Sequence, residues 1–466
     1  MEISFNGAAQ TVTGSKHLIT LWDNEKILLD CGMFQGMGKD TYTLNKEFGF
    51  DPKDVNHLIL SHAHIDHSGL IPKLVKDGFV GNIYCTHATF DLCKIMLMDS
   101  AHIQEADARF VNKRRRVQGR EMIEPLYAKE DVVNCLLQFV PIDYDTPFEI
   151  NDHIKLLFTD NGHILGSATT NLSIREVNET TQLAYTGDIG GYNTALLKNP
   201  SPFPQADIII CESTYGDRLH NKSIHPDQEI LDAIIDTCKN RKGKVIIPAF
   251  SLGRTQEIVY ALNKLNLYGL LPDVKVYVDS PLAVNATRIM RSYASNLNEE
   301  VQEFIESRPD PFGFDRLTYI TDKRDSQKLN DQKGPFILIS SSGMAEAGRV
   351  KHHIMHNIED DRNSILIVGY AEPLSLAGKL RNGDKMVKIF GVEHQVNAKV
   401  KAIDSLSAHG DYQEMIKYLS CQKPEKVRQF FLVHGEHNVQ QSFKAKLKEV
   451  GFNNINIPSR YSEYSI

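Results

Sequence analysis

The stretch Ser61-His62-Ala63-His64-Ile65-Asp66-His67-Ser68-Gly69 follows the apolar run His57–Leu60 and sets His62, His64, Asp66 and His67 within six positions. Imidazole nitrogen and carboxylate oxygen are what a zinc-like divalent ion binds. A polar turn with surplus histidines is the plainer alternative, but HxHxDH is a far more restrictive spacing than a single HxH pair. The pattern predicts a metal site at the end of a strand.

The chain has 466 residues, 41% hydrophobic and 24% charged, enough for two or three domains. Its net charge of -7 argues against holding polyanions by bulk charge, so a nucleic-acid ligand would need a local basic surface or bound cations. Seven cysteines, scattered from Cys31 to Cys421 without a CxxC pair, fit neither a disulfide framework nor a thiolate zinc site. They suit a reducing cytoplasm. The N-terminus has no basic segment followed by an apolar core, and no stretch approaches the roughly 18 apolar residues of a membrane span. The expectation is a soluble cytoplasmic protein with no membrane partner.

Short apolar runs ending in polar or glycine-rich turns recur through the first half and read as buried strands. Between them residues 90–110 carry helical spacing and run into the charged stretch 112–120, predicting a long helix and its exit. From about Glu212 strand and helix alternate: 245–250 then 251–265, 274–280 then 281–293, 335–341 then 344–358. That rhythm favours a parallel sheet with crossover helices in an α/β layer structure. Residues 296–333 are polar with little periodicity and read as a surface excursion.

Asp30, His163, Asp188 and His434 stand where HxHxDH stands, at the carboxyl end of an apolar run. Strand ends converging on one sheet edge would bring them together. The landmarks Gly7–Leu18, Asp30–Gly36, Ser61–Gly69, Asp160–Ala168, Tyr185–Gly190, Cys211–Arg218, Pro248–Glu257, Asp279–Ala283, Ser341–Met344, Ala347–Val350, Gly369–Tyr370, Ser407–Tyr412 and Leu432–His437 follow the order of one family. The chain resembles metallo-β-lactamase-fold nucleases carrying the β-CASP insertion, which include ribonuclease J and the endonuclease subunit of the eukaryotic pre-mRNA 3′-end processing complex. Within that family the likeness is to compact bacterial members lacking the extra carboxyl-terminal domain of ribonuclease J.

The resemblance implies a metallo-β-lactamase αββα sandwich, residues 1–211 and 402–466, interrupted by a β-CASP domain, residues 212–401, with a mostly parallel sheet flanked by helices. It implies two zinc ions: one on His62, His64, His163 and Asp188, the other on Asp66, His67, Asp188 and His434, with Asp188 bridging. Such a pair can hold a hydroxide and neutralise a phosphodiester. Asp66 is catalytic in this pattern as well as a ligand, Asp30 is a supporting carboxylate, and His409 is the general acid, oriented by Glu212. The implied function is hydrolysis of single-stranded RNA in processing or decay, leaving 5′-phosphate and 3′-hydroxyl ends, endonucleolytically, from the 5′ end, or both. RNA is favoured over DNA because RNA-acting branches typically carry histidine where His434 stands. The rivals are a DNA nuclease, a small-molecule hydrolase, which the insertion opposes, and a non-catalytic RNA-binding scaffold, which the complete ligand set opposes. A homodimer is compatible with all of them.

Candidate RNA contacts come from helix starts and local charge: Arg254, Ser280, Ser342, Arg349 and Lys351, set against helix capping and ordinary surface charge. The run Lys113-Arg114-Arg115-Arg116 is a candidate electrostatic footprint, set against a solvated helix exit. His352 and His353 fall in a predicted helix beside Arg349, where the resembled family commonly has histidines, and are candidate RNA contacts set against packing; the remaining histidines have no motif that recruits them.

Overall fold

The strand Ile208–Glu212 is buried on both faces, and its alternation divides two cores. Ile208 and Ile210 join one, Ile209 and Cys211 the other, and its neighbour Gln429–Val433 repeats the division with Phe431 and Val433 against Phe430 and Leu432. A computed structural model describes this architecture for all residues except 177–178, 221–225, 309, 370 and 404–406 and the side chain of Lys39. His225, and Tyr370 of the Gly-Tyr landmark, lie outside the described residues. One compact unit holds Met1–Tyr192, Asn199–Leu219 and His409–Ile466, the other Asn193–Lys198 and His220–Ala408.

The first unit stacks two seven-stranded sheets. One runs, edge to edge, Ser462–Ser465, Glu2–Gly7, Lys16–Thr20, Lys26–Leu29, His57–Ile59, Asn82–Thr86 and Phe139–Ile142. The other runs Ile455–Asn456, Gln429–Val433, Ile208–Glu212, Thr180–Tyr185, Ala168–Arg175, Ile154–Asp160 and Phe148–Glu149. Between them Phe5, Ile19, Ile27, Leu29 and Ile59 meet Leu156, Phe158, Leu172, Tyr185 and Phe431 in a fully buried core. The outer face of the second sheet is covered by the helices Tyr412–Leu419 and His437–Glu449 through Met415, Leu419, Phe443 and Leu447. Against the first sheet lies the 31-residue helix His87–Val117, which buries Leu92, Cys93 and Leu97. Helices thus close both outer faces, the αββα order expected.

Strand direction positions the site. Lys26–Leu29 and His57–Ile59 are parallel, as are Thr180–Tyr185, Ile208–Glu212 and Gln429–Val433. Their carboxyl ends deliver Asp30, the HxHxDH loop, Asp188, Glu212 and His434.

The second unit is built on six parallel strands in the order Leu317–Ile320, Lys275–Asp279, Phe336–Ser340, Val245–Pro248, Ser364–Val368 and Lys399–Ile403. Two expectations need correction. Residues 296–333 are no mere excursion: they contribute the helices Glu299–Ser307 and Lys323–Asp331 and an edge strand, burying Val301, Phe312, Ile320 and Leu329. Few apolar residues suffice for short elements at an edge, and dense charge on their outer faces masks the period. The helix expected from Met344 begins only at Arg349, because Ala345 and Gly348 take left-handed backbone at φ 57° and 79°. The basic run fills the last turn of the long helix, at its exit as expected.

Asp279 ends a central strand of this sheet with no solvent exposure and accepts from His353 Nε2 at 2.6 Å, Ser326 Oγ at 2.5 Å and Arg349 Nη1 at 2.5 Å. Burial opposes its charge, but these donors outweigh burial and hold the carboxyl below its ordinary value of 3.8. A lowered carboxylate stabilises the fold above the unfolded-state pKa and loses that contribution as pH falls through the folded value. Asp279→Ala should therefore destabilise the second unit by about 3 kcal/mol at neutral pH, since it strands a buried imidazole and a guanidinium. Denaturant titration at pH 7 and pH 3 should find the difference from wild type shrinking at the lower pH.

Candidate metal centre

Close backbone packing seats the HxHxDH loop. Ser15 N donates to Asp66 O and Cys31 N to His67 O, each at 2.8 Å. Gly32 lies so close that a Cβ there would meet Asp66 O at 1.6 Å, which explains the glycine in Asp30–Gly36. The His163 loop is clamped likewise: a Cβ on Gly190 would meet Gly162 O at 2.0 Å. Asp30 and His434 hold left-handed backbone at φ 59° and 51°, strain of about 1–3 kcal/mol apiece that the surrounding structure sustains.

Two ligand groups result. Atoms of His62, His64, His163 and Asp188 lie within 4.8 Å of one another, as do atoms of Asp66, His67 and His434. Asp188 faces both groups. Its Oδ2 is 3.5 Å from His62 Nε2 and from His163 Nε2, while its Oδ1 is 3.3 Å from His67 Nε2 and 3.5 Å from His434 Nδ1. His434 Nε2 in turn is 3.5 Å from Asp66 Oδ2.

The donor set fits a divalent cation. His62 Nε2 and Asp188 Oδ1 are buried with no hydrogen-bond partner, an arrangement that is costly unless a charge satisfies them. His64 Nδ1 and His163 Nε2 approach to 3.2 Å. Burial, reinforced by neighbouring imidazoles, keeps His62 and His163 well below the usual histidine range, and burial takes His64 down to about 4 against the pull of Asp66. All three are neutral near pH 7, the form that ligates.

Asp30 supports this set from behind. It accepts from His67 Nδ1 at 2.6 Å, Tyr185 Oη at 2.6 Å, Ser61 N at 2.7 Å and Ser61 Oγ at 2.8 Å. A carboxylate on Nδ1 fixes the His67 ring with Nε2 on the Asp188 side, 3.3 Å from Oδ1. Asp30→Asn should weaken metal affinity 10- to 100-fold with the fold retained, read by chelator competition. Tyr185, Ser61 and Thr214, whose Oγ1 lies 3.0 Å from His434 Nδ1, escaped the sequence reading. Each stands inside a landmark, and a buried tyrosine hydroxyl beside a buried aspartate is the signal available.

His409 stands beside Asp188, its Nε2 3.9 Å from Oδ2, while its Nδ1 lies 3.0 and 3.1 Å from the two oxygens of Glu212. Burial opposes the charged ring, but Glu212 and Asp188 outweigh it and raise His409 to about 9. Glu212 is fixed by Ile189 N at 2.5 Å and Thr214 N at 3.3 Å.

The five RNA-contact candidates all belong to the second unit and are engaged there. Arg254, only 7% exposed, pairs with Glu257; Arg349 pairs with Asp279 and donates to Thr321 O; Lys351 donates to Glu346 O. Ser280 caps the helix Pro281–Ser292 through Ala283 N and Ser342 donates to Ala347 O. Of the unrecruited histidines, His57 and His153 bind Glu25, and His394 binds Glu359.

Family models match three parts of the chain: the metallo-β-lactamase superfamily over residues 18–249, the Beta-Casp domain over 255–380, and the Zn-dependent metallo-hydrolase RNA specificity domain over 393–458. Ribonuclease TTHA0252 of Thermus thermophilus is 34% identical over 431 residues, covering 92% of each chain. This chain belongs to the β-CASP family of metallo-β-lactamase-fold hydrolases. Another relative, an RNase J-like protein of Methanocaldococcus jannaschii, is 32% identical and covers 95% of this β-CASP protein and 94% of its own length. A crystal structure of a protein of unknown function from Enterococcus faecalis shares the fold with a TM-score of 0.51 at 12% identity, covering 99% of both chains. The family implies a divalent-metal site, and among the described residues no helix is long and apolar enough to cross a membrane.

Proposed function

We propose that this β-CASP hydrolase is a ribonuclease that cuts single-stranded RNA with two zinc ions, leaving 5′-phosphate and 3′-hydroxyl ends. The observation that carries the reading is Asp188, with one oxygen toward each histidine group. His62, His64, His163 and Asp188 would hold one ion, and Asp66, His67, Asp188 and His434 the other. When bound, such a pair supplies an activated water and neutralises phosphodiester charge.

The chain's own residues complete the reaction. His409, with Nδ1 against Glu212, keeps a proton at Nε2 on the Asp188 side. That proton passes to the departing 3′-oxygen as the P–O3′ bond breaks. Glu212 holds the ring in place and favours its charged form. Asp30 fixes His67, and Thr214 steadies His434. The RNA specificity model spans both His409 and His434, and the relatives named ribonuclease and RNase J-like support RNA as substrate. Seven free cysteines, six of them buried, support a reducing cytoplasm. The division 1–211, 212–401 and 402–466 remains our proposal for the domains.

Matched RNA and DNA oligonucleotides, 5′-labelled and single-stranded, test the substrate. RNA should be cut and the DNA left largely intact. Equal or faster cutting of DNA would replace this reading with a DNA nuclease.

A further inference from the structure

The helix His87–Val117 carries a surface that the metal centre does not use. Between Arg109 and Arg120 the chain has six cations, Arg109, Lys113, Arg114, Arg115, Arg116 and Arg120, and no acidic residue, in a protein of net charge -7. Lys113, Arg114, Arg116 and Arg120 are exposed, and no carboxylate pairs with any of them among the described residues. Within the same turns Phe110 is 78% exposed and Val117 88%. Positions 110, 113, 114 and 117 follow the spacing that puts side chains on one helix face. A large aromatic flanked by unpaired cations is poorly explained as packing, because none of the described residues covers it.

We propose that this face, centred on Phe110, Lys113, Arg114 and Val117, is a secondary binding surface for single-stranded RNA. The chemistry matches both halves of such a ligand: cations track the phosphates and the ring stacks on a base. Charge complementarity favours RNA over a second copy of the chain. A two-fold dimer centred on this patch would set six cations against six. The reading rests on the ribonuclease proposal, and it places the surface on the helix that passes the metal loop. Cys93 lies against Ser68 of that loop, and 17 residues on, about 25 Å along the axis, comes Phe110. At about 3.4 Å per nucleotide, RNA reaching the surface from the metal loop spans on the order of seven nucleotides.

The test compares wild type with Phe110→Ala and with the triple variant Lys113→Ala, Arg114→Ala, Arg116→Ala, using single-stranded oligonucleotides of 6 and 30 nucleotides. Binding is read by fluorescence anisotropy across salt concentrations, and cleavage by KM and kcat. For the 30-mer, Phe110→Ala should raise Kd about tenfold. The triple variant should reduce the slope of log Kd against log salt by about 2, three phosphate contacts at about 0.7 apiece. Cutting of the 6-mer and kcat on both RNAs should stay unchanged. Unaltered affinity and salt slope for the 30-mer would overturn the proposal, as would variants that change only the oligomeric state in light scattering. Absence of cleavage by wild type, with binding affected as described, would instead remove the ribonuclease reading and leave this surface standing.

Discussion

Asp188→Ala is expected to lower RNA cleavage by at least about 10³-fold and to release metal from both groups. Its Oδ2 faces His62 and His163 and its Oδ1 faces His67 and His434, at 3.3–3.5 Å. Without them, imidazoles on either side lose the shared anion that would offset two divalent charges. The clamp on attacking and leaving oxygens contributes several kcal/mol to such reactions, and each 1.36 kcal/mol is tenfold in rate. Elemental analysis after gel filtration, beside cleavage of labelled RNA, checks both halves. Asp188→Asn keeps the volume and separates loss of charge from loss of packing: near-wild-type metal content in that variant would sink the bridging role.

His409→Ala should reduce kcat by about 10²- to 10⁴-fold while metal content and KM change little. The imidazole touches Asp188 and Glu212, so its removal takes away a proton donor without opening either ligand group. A substrate that needs no proton on departure gives the decisive contrast. A p-nitrophenyl phosphodiester expels p-nitrophenolate, a stable anion, and the variant should cut it nearly as well as wild type does. Glu212→Gln should fall the same way on RNA, less steeply, because the ring stays present but loses its charged partner. Equal losses on RNA and on the activated ester would show that His409 acts on structure or metal.

The clustering of these histidines and aspartates was legible because each ends a short apolar run, and strands running parallel bring such ends to one edge. The 367 residues between His67 and His434 close because their strands sit in stacked sheets of one unit. What stayed hidden has physical causes. Ser61, Thr214 and Tyr185 act through hydroxyl hydrogen bonds, which no composition or period announces. Arg254 looked available for RNA, although Glu257 three residues on marks a local ion pair that helical spacing could have revealed. Arg349 was beyond such reasoning, since its partner Asp279 lies 70 residues away and meets it only through the fold. In residues 296–333 the apolar positions are too sparse and the charge too dense for a period to stand out, so an edge strand and two helices passed as a loop.

The central claim is that this chain's histidine and aspartate cage cuts RNA with bound metal. Cleavage of a 5′-labelled single-stranded RNA by protein stripped with a chelator and then reloaded with zinc tests it most directly. The account predicts no cutting by the stripped protein and recovery on reloading, with products carrying 5′-phosphate and 3′-hydroxyl ends. RNA left intact at full metal occupancy, or cut equally well by the stripped protein, would contradict it.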